Sequence, residues 1–154
     1  MNADLTFYLL VIFQIKHFVA DYPLQTPYML GKFKNGKDWV LPLLAHACVH
    51  GACTFVIAVI YSNLKLALCL AGIDLVAHFV MDRIKASSKL LGRFKALSAR
   101  EMGVIKRGPS IPSQILPFQE ALKSNTYFWW SLGVDQMVHH LTHYYIIWRI
   151  LIGH

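Results

Sequence analysis

Four stretches of the chain stay apolar for the roughly 17–25 residues that a helix needs to cross a bilayer: 5–22, 40–61, 64–84 and 127–152. The interruptions between them have local causes. Pro23 and Pro27 stop the first, Pro42 suits the opening turn of the second, and Ser62-Asn63 is a short polar turn that makes the second and third a helical hairpin. The N-terminus Met1-Asn2-Ala3-Asp4 lacks a basic region, and no small-residue cleavage site follows the first span, so that span is expected to persist. The pattern predicts an all-α fold, a four-helix transmembrane bundle forming a single integral-membrane domain over 1–154. In the third connection, Leu90, Leu91, Phe94 and Leu97 alternate at helical spacing with Lys89, Arg93, Lys95 and Arg100. This predicts a cytoplasmic amphipathic helix on the membrane surface, followed by an irregular return through Gly108-Pro109, Pro112 and Pro117.

Composition agrees with a lipid partner. Hydrophobic residues make up 56% and charged residues 15%, where a soluble domain carries roughly a quarter charged. Collagen, coiled coil, disordered tail and disulfide-stapled secreted domain are all excluded. The formal charge of +7 is concentrated in two connections: Lys32, Lys34 and Lys37 in the first, and the run from Arg83 to Lys123 in the third. The positive-inside rule places both in the cytoplasm and both termini on the other side of the membrane. The basic excess thus reads as orientation, and no nucleic-acid partner is expected. Cys48, Cys53 and Cys69 lie inside spans, form no CxxC pair, and read as small buried packing residues.

The chemistry lies in the polar residues inside the spans. Seven of the eight histidines are there, with Asp21, Asp74, Asp82 and Asp135. An ionisable group at membrane depth costs about 2.5–3.5 kcal/mol on insertion scales and persists when paired, hydrated or bound to metal. Their spacing is uniform: His17 and Asp21; His46 and His50; Asp74, His78 and Asp82; Asp135, His139 and His143, each step being four residues. A step of four returns to nearly the same helix face about 6 Å further on, so each helix carries one polar stripe. The first three stripes fall in the cytoplasmic half of their spans, and the fourth overlaps them if its helix tilts.

Imidazole and carboxylate without thiolate suit divalent Zn first, with Mn or Fe as alternatives. All ten residues are candidate ligands. They exceed the needs of one ion and predict a site of two or three, with His78 and His139 central and their neighbours bridging or orienting. Asp74 or Asp135, if not tied to metal, is a candidate general base. For Asp82, an ion pair with the adjacent Arg83 or Lys85 is an equal alternative. His140 points about 100° from His139 and reads as a packing or orienting residue. Lys16 either snorkels to the interface or contacts an anionic substrate. Tyr127, Phe128, Trp129 and Trp130 form an interfacial aromatic belt.

Four segments, HFVADYPLQ from His17, HACVH from His46, HFVMDRIK from His78 and DQMVH from Asp135, together resemble the small bacterial and phage membrane proteins classed as domain of unknown function 3307. The resemblance covers nearly the whole chain and implies an integral-membrane protein whose recurrent polar positions are these. A looser resemblance, in the HxxxD and HxxxH style alone, is to membrane-bound metal-dependent hydrolases and through them to helical zinc phospholipases and nucleases, although the N-terminal and glutamate ligands of those soluble enzymes are missing here. The leading expectation is a metal-dependent hydrolase acting on an ester or phosphoester, with an anionic lipid or another phosphate-bearing molecule as substrate. A transition-metal carrier, which would need to form a homo-oligomer, and a di-iron membrane oxidoreductase are the alternatives.

Overall fold

The computed structural model describes residues 3–34, 36–87, 89–94 and 125–153. Among them are four long helices, α1 (Ala3–Asp21), α2 (Val40–Tyr61), α3 (Leu64–Ala86) and α4 (Thr126–Ile152), with short 3-10 turns at Met29–Phe33 and Leu91–Phe94 and no strand. Helices α3 and α4 begin where side chains can satisfy their first amides. Asn63 Oδ1 accepts from the Leu66 amide at 2.9 Å and Asn125 Oδ1 from the Phe128 amide at 3.0 Å. Ser62 and Asn63 alone separate α2 from α3, as the polar dipeptide predicts.

The four helices close into a ring: α1 packs on α2, α2 on α3, α3 on α4, and α4 returns to α1. Gly51 permits the tight α2–α3 contact, since a Cβ there would stand 3.1 Å from the Ala71 carbonyl oxygen and 3.2 Å from Leu75 Cβ. The interior has two storeys. Around the α2–α3 turn, Leu9, Phe13, Ile57, Ala58, Ala67, Leu70, Ile146 and Ile150 form an apolar plug. In the other half, beside the basic connections, the buried side chains are polar: His46, His50, Asp74, Asp135 and His143 are fully enclosed. The outer face is apolar, with Phe7, Leu41, Ile60 and Trp130 all about two-thirds exposed. Polar inside and apolar outside inverts the arrangement of a water-soluble bundle.

By length and apolarity, α1, α2 and the run starting at Leu64 suffice to cross a membrane. At 27 residues α4 is long enough as well, but Asp135, His139 and His143 lower its hydropathy, and all three are buried in the bundle. Two expectations need correction. Cys48 and Cys69 are exposed on the outer face instead of packed inside, while Cys53 is half-buried. Of the surface helix expected from Lys89 onward, Leu91–Phe94 is a single 3-10 turn, and the remainder with the proline-rich return lies outside the described residues.

Candidate metal centre

The ten ligand-type side chains singled out by spacing converge in the polar storey. They form four groups, three of them linked through His50 and His78, in each of which the donor atoms lie within 4.8 Å of one another: His17, His78 and His143; Asp21, His46 and His50; His50, Asp74 and His78; and, separately, Asp82, Asp135 and His139. Every one of the ten is a member, and each group draws on at least two helices. The helical rise divides the three-residue stripes as expected. On α3, Asp74 and His78 share a group while Asp82 joins another, and on α4, Asp135 and His139 are together while His143 is apart. His78 is the hub, its ring stacked on His50 at 3.6 Å and on His139 at 4.1 Å between centroids.

The donor spacing is compatible with shared metal ions as well as with long hydrogen bonds. Ligands about 2.0–2.1 Å from a tetrahedral ion lie roughly 3.3–3.4 Å from one another, whereas an N–H···O bond has its mode near 2.9–3.0 Å. His17 Nε2 is 3.1 Å from Asp21 Oδ2. His46 Nε2 is 3.3 Å from both Asp21 Oδ1 and Asp82 Oδ2, and His139 Nε2 is 3.4 Å from Asp135 Oδ1. Neither ring nitrogen of His17 or His46 makes a hydrogen bond among the described residues, nor do His78 Nε2 and Asp135 Oδ1. Buried nitrogens and oxygens without partners are rare in proteins. Several of them, His17 Nε2, His46 Nε2 and Asp135 Oδ1, lie within 3.1–3.4 Å of another ligand-type atom, so they could hold a shared cation.

Three lysines enter this centre, and spacing did not place them there. Lys16 is buried, with Nζ 2.5 Å from Asp74 Oδ2, so it does not snorkel. Thr54 donates its hydroxyl to the same oxygen at 2.6 Å. Lys32 Nζ is 2.6 Å from Asp82 Oδ2, and Lys85 Nζ is 2.6 Å from Asp135 Oδ2. The ion-pair partner of Asp82 is therefore Lys32, not Arg83 or Lys85. The Arg83 guanidinium lies 3.8 Å over the Trp39 ring. Lys32 and Lys85, counted above as orientation charge, are turned inward. A signal for Lys16 was present in the sequence: Leu9, Phe13, Lys16 and Ala20 follow one another at steps of four, three and four, and all are buried. His140 belongs to none of the four groups and stacks on Tyr144 at 6.4 Å.

A cleft of about 530 Å³ opens onto the centre between α1, the Met29–Phe33 turn, α3 and α4. His17, Asp21 and Asp82 reach it from the centre, and Lys32, Lys85, Gln25, Gln136 and His140 stand on its walls. Asp21 is the most open of the four aspartates, its side chain 26% exposed against 0–4% for the others. Neither Asp74 nor Asp135 lines the cleft.

Residues 9–152 match the family described as Protein of unknown function (DUF3307). The chain belongs to that family. The match runs from Leu9 to Ile152, so it takes in α1 from Leu9 onward, the other three long helices and every member of the centre. No curated protein and no solved structure matches the chain.

Proposed function

We propose that this DUF3307 protein is an integral-membrane metal-dependent hydrolase. Its His/Asp centre would lie in the cytoplasmic half of the bacterial inner membrane and act on a phosphoester such as a lipid headgroup. The observation that carries the reading is the cleft, which joins the surface to two of the donor groups at Asp21 and Asp82 and sets Lys32 and Lys85 beside them. Zinc, manganese or iron held there polarises phosphoryl oxygens and makes water nucleophilic at neutral pH.

Charge favours a phosphoester over a carboxylic ester. Four aspartates paired with three lysines leave the centre one negative charge when its imidazoles are neutral. Two divalent ions reverse this to an excess of three positive charges inside a low-dielectric bundle, and a multiply charged anion in the cleft offsets that excess. Lys32 and Lys85 orient the anion, and the glutamine amides on the walls supply hydrogen bonds. Asp21 and Asp82 are the carboxylates the cleft reaches, and Asp21, the more open, would take the general-base role offered above to Asp74 or Asp135 through an oxygen not tied to metal. The apolar plug of Leu9, Phe13, Leu70 and Ile146 seals the far end against water. That seal also disfavours a carrier, which needs donor groups continuing to the other surface.

Purified protein should retain zinc, manganese or iron at a fixed ratio above one per chain by elemental analysis, and His46→Ala and His139→Ala should each lower it. Metal-loaded protein should release phosphate or a phosphorylated headgroup from anionic phospholipid vesicles, and chelation should abolish the release. Absence of stoichiometric metal sinks the centre. Metal retention with labelled ion uptake into proteoliposomes, and no hydrolysis, sinks the hydrolase in favour of the carrier.

A further inference from the structure

The Lys16 ammonium sits where an ion could. Its Nζ contacts Asp74 Oδ2 on α3 at 2.5 Å, His143 Nε2 on α4 at 3.3 Å and His50 Nδ1 on α2 at 3.4 Å, while its own stem rises from α1. An ammonium has three hydrogens and no acceptor, and three acceptors on three other helices surround this one. Lys32 and Lys85, by contrast, meet carboxylate oxygens from the cleft side.

The contact fixes the imidazoles. Because an ammonium can only donate, His50 Nδ1 and His143 Nε2 must accept, and each ring then carries its hydrogen on the other nitrogen. His50 Nε2–H accordingly donates to Asp21 Oδ1 at 3.2 Å. Neither imidazole has a lone pair left for a metal. His143 drops out of the group with His17 and His78, and His50 out of both groups that contain it. The donors still open are His17, His78, Asp21 and His46 on one side, with His17 Nε2 3.1 Å from Asp21 Oδ2, and Asp82, Asp135 and His139 on the other. His46 Nε2 stands at 3.3 Å between Asp21 and Asp82.

We propose that Lys16 is the innermost cation of the centre, filling the deep donor set of His50, Asp74 and His143, so that the protein holds two metal ions at the cleft end and not three. The inference rests on the metal reading above and deepens it. Through the chain from Lys16 to His50 to Asp21, the ammonium also positions the carboxylate that borders the cleft.

The test is a count. Wild-type protein reconstituted with zinc, freed of loose metal by gel filtration and analysed for zinc and protein, should hold two ions per chain. Lys16→Met frees Asp74, His50 and His143 together and should raise the count to three, and adding Asp74→Asn to it should return the count to two. A second arm does not depend on Lys16 variants folding. His143→Ala should keep two ions, whereas His139→Ala should lose one. Three ions in wild type, or loss of an ion from His143→Ala, overturns the assignment of Lys16 while leaving the metal centre standing. A folded Lys16→Met that stays at two also overturns it. No metal in wild type overturns the centre and this inference with it.

Discussion

Asp74→Asn in metal-free protein tests whether the buried ion pairs hold the bundle together. The Lys16 and Asp74 side chains are 3% and 0% exposed, so neither can turn to water when its partner is neutralised. Removing one partner of such a pair costs about 3–5 kcal/mol. Lys16 keeps His50 and His143 as acceptors, which argues for the lower end, and Thr54 exchanges a charged acceptor for a neutral one, adding about 1 kcal/mol. The expected loss is roughly 3–4 kcal/mol. Asp135→Asn is the internal control. Its partner Lys85 is 32% exposed and borders the cleft, so it can rehydrate, and the expected loss is about 1 kcal/mol. Replacing both members, Lys16→Met with Asp74→Asn, should recover about 2 kcal/mol, because no unpaired charge then remains. Unfolding of detergent-solubilised protein by sodium dodecyl sulfate, followed by far-ultraviolet circular dichroism with chelator present, reads all three. The reasoning is refuted if Asp74→Asn is no less stable than Asp135→Asn, or if the double variant is as unstable as the single.

Gly51→Val should cost about 1–3 kcal/mol in the same assay, because its Cβ meets the Ala71 carbonyl oxygen at 3.1 Å on a helix that cannot yield locally; a variant as stable as wild type would show that α2 and α3 do not pack this closely. Leu70→Ala, at 1% exposure in the apolar plug, should lose about 2 kcal/mol, the low end of the range for buried leucine, since lipid is as apolar as the site it leaves. Its metal content should be unchanged, and a fall would mean that the two storeys are not independent. For orientation, Lys34→Cys and Ser62→Cys in a cysteine-free background should react with a membrane-impermeant maleimide from opposite sides, Lys34→Cys only in inverted vesicles and Ser62→Cys only in intact spheroplasts; labelling from the same side would refute the proposed topology.

The candidate centre was legible because a helix repeats its face every four residues or so. His17 and Asp21, or His46 and His50, announce a shared face without any knowledge of the neighbouring helix. The lysines were harder to read, since lysine in or near a span is compatible with snorkelling, with orientation and with burial, and only the position of the opposing carboxylate decides. Lys32 is fifty residues from Asp82, and nothing local links them. The cysteines misled for a related reason. Small apolar side chains are tolerated equally by a packed interior and by lipid, so Cys48 and Cys69 could face outward without leaving a mark in the hydropathy pattern. For α4 the difficulty was inverse, because its polar stripe lowers the very hydropathy by which a span is recognised.

The same residues that make the centre also fasten the helices to one another, and this governs how any variant should be interpreted. Lipid competes with side chains for apolar contact, so a membrane bundle relies on packing and on polar links between helices. Here Lys16–Asp74 joins α1 to α3 across the bundle, Lys85–Asp135 joins α3 to α4, and Lys32–Asp82 ties the Met29–Phe33 turn to α3. Loss of metal after mutation of an aspartate therefore confounds ligation with integrity. His46 escapes the confusion. It is fully buried and has no lysine partner, and both its ring nitrogens lack hydrogen bonds among the described residues, so its removal takes away a donor without unpairing an ammonium. If His46→Ala leaves metal-free stability within about 2 kcal/mol of wild type, the cost of the cavity alone, while it loses bound metal, the donor role and the structural role of the polar storey are separable. If stability falls as far as in Asp74→Asn, the storey is a single structural network and the histidines belong to it.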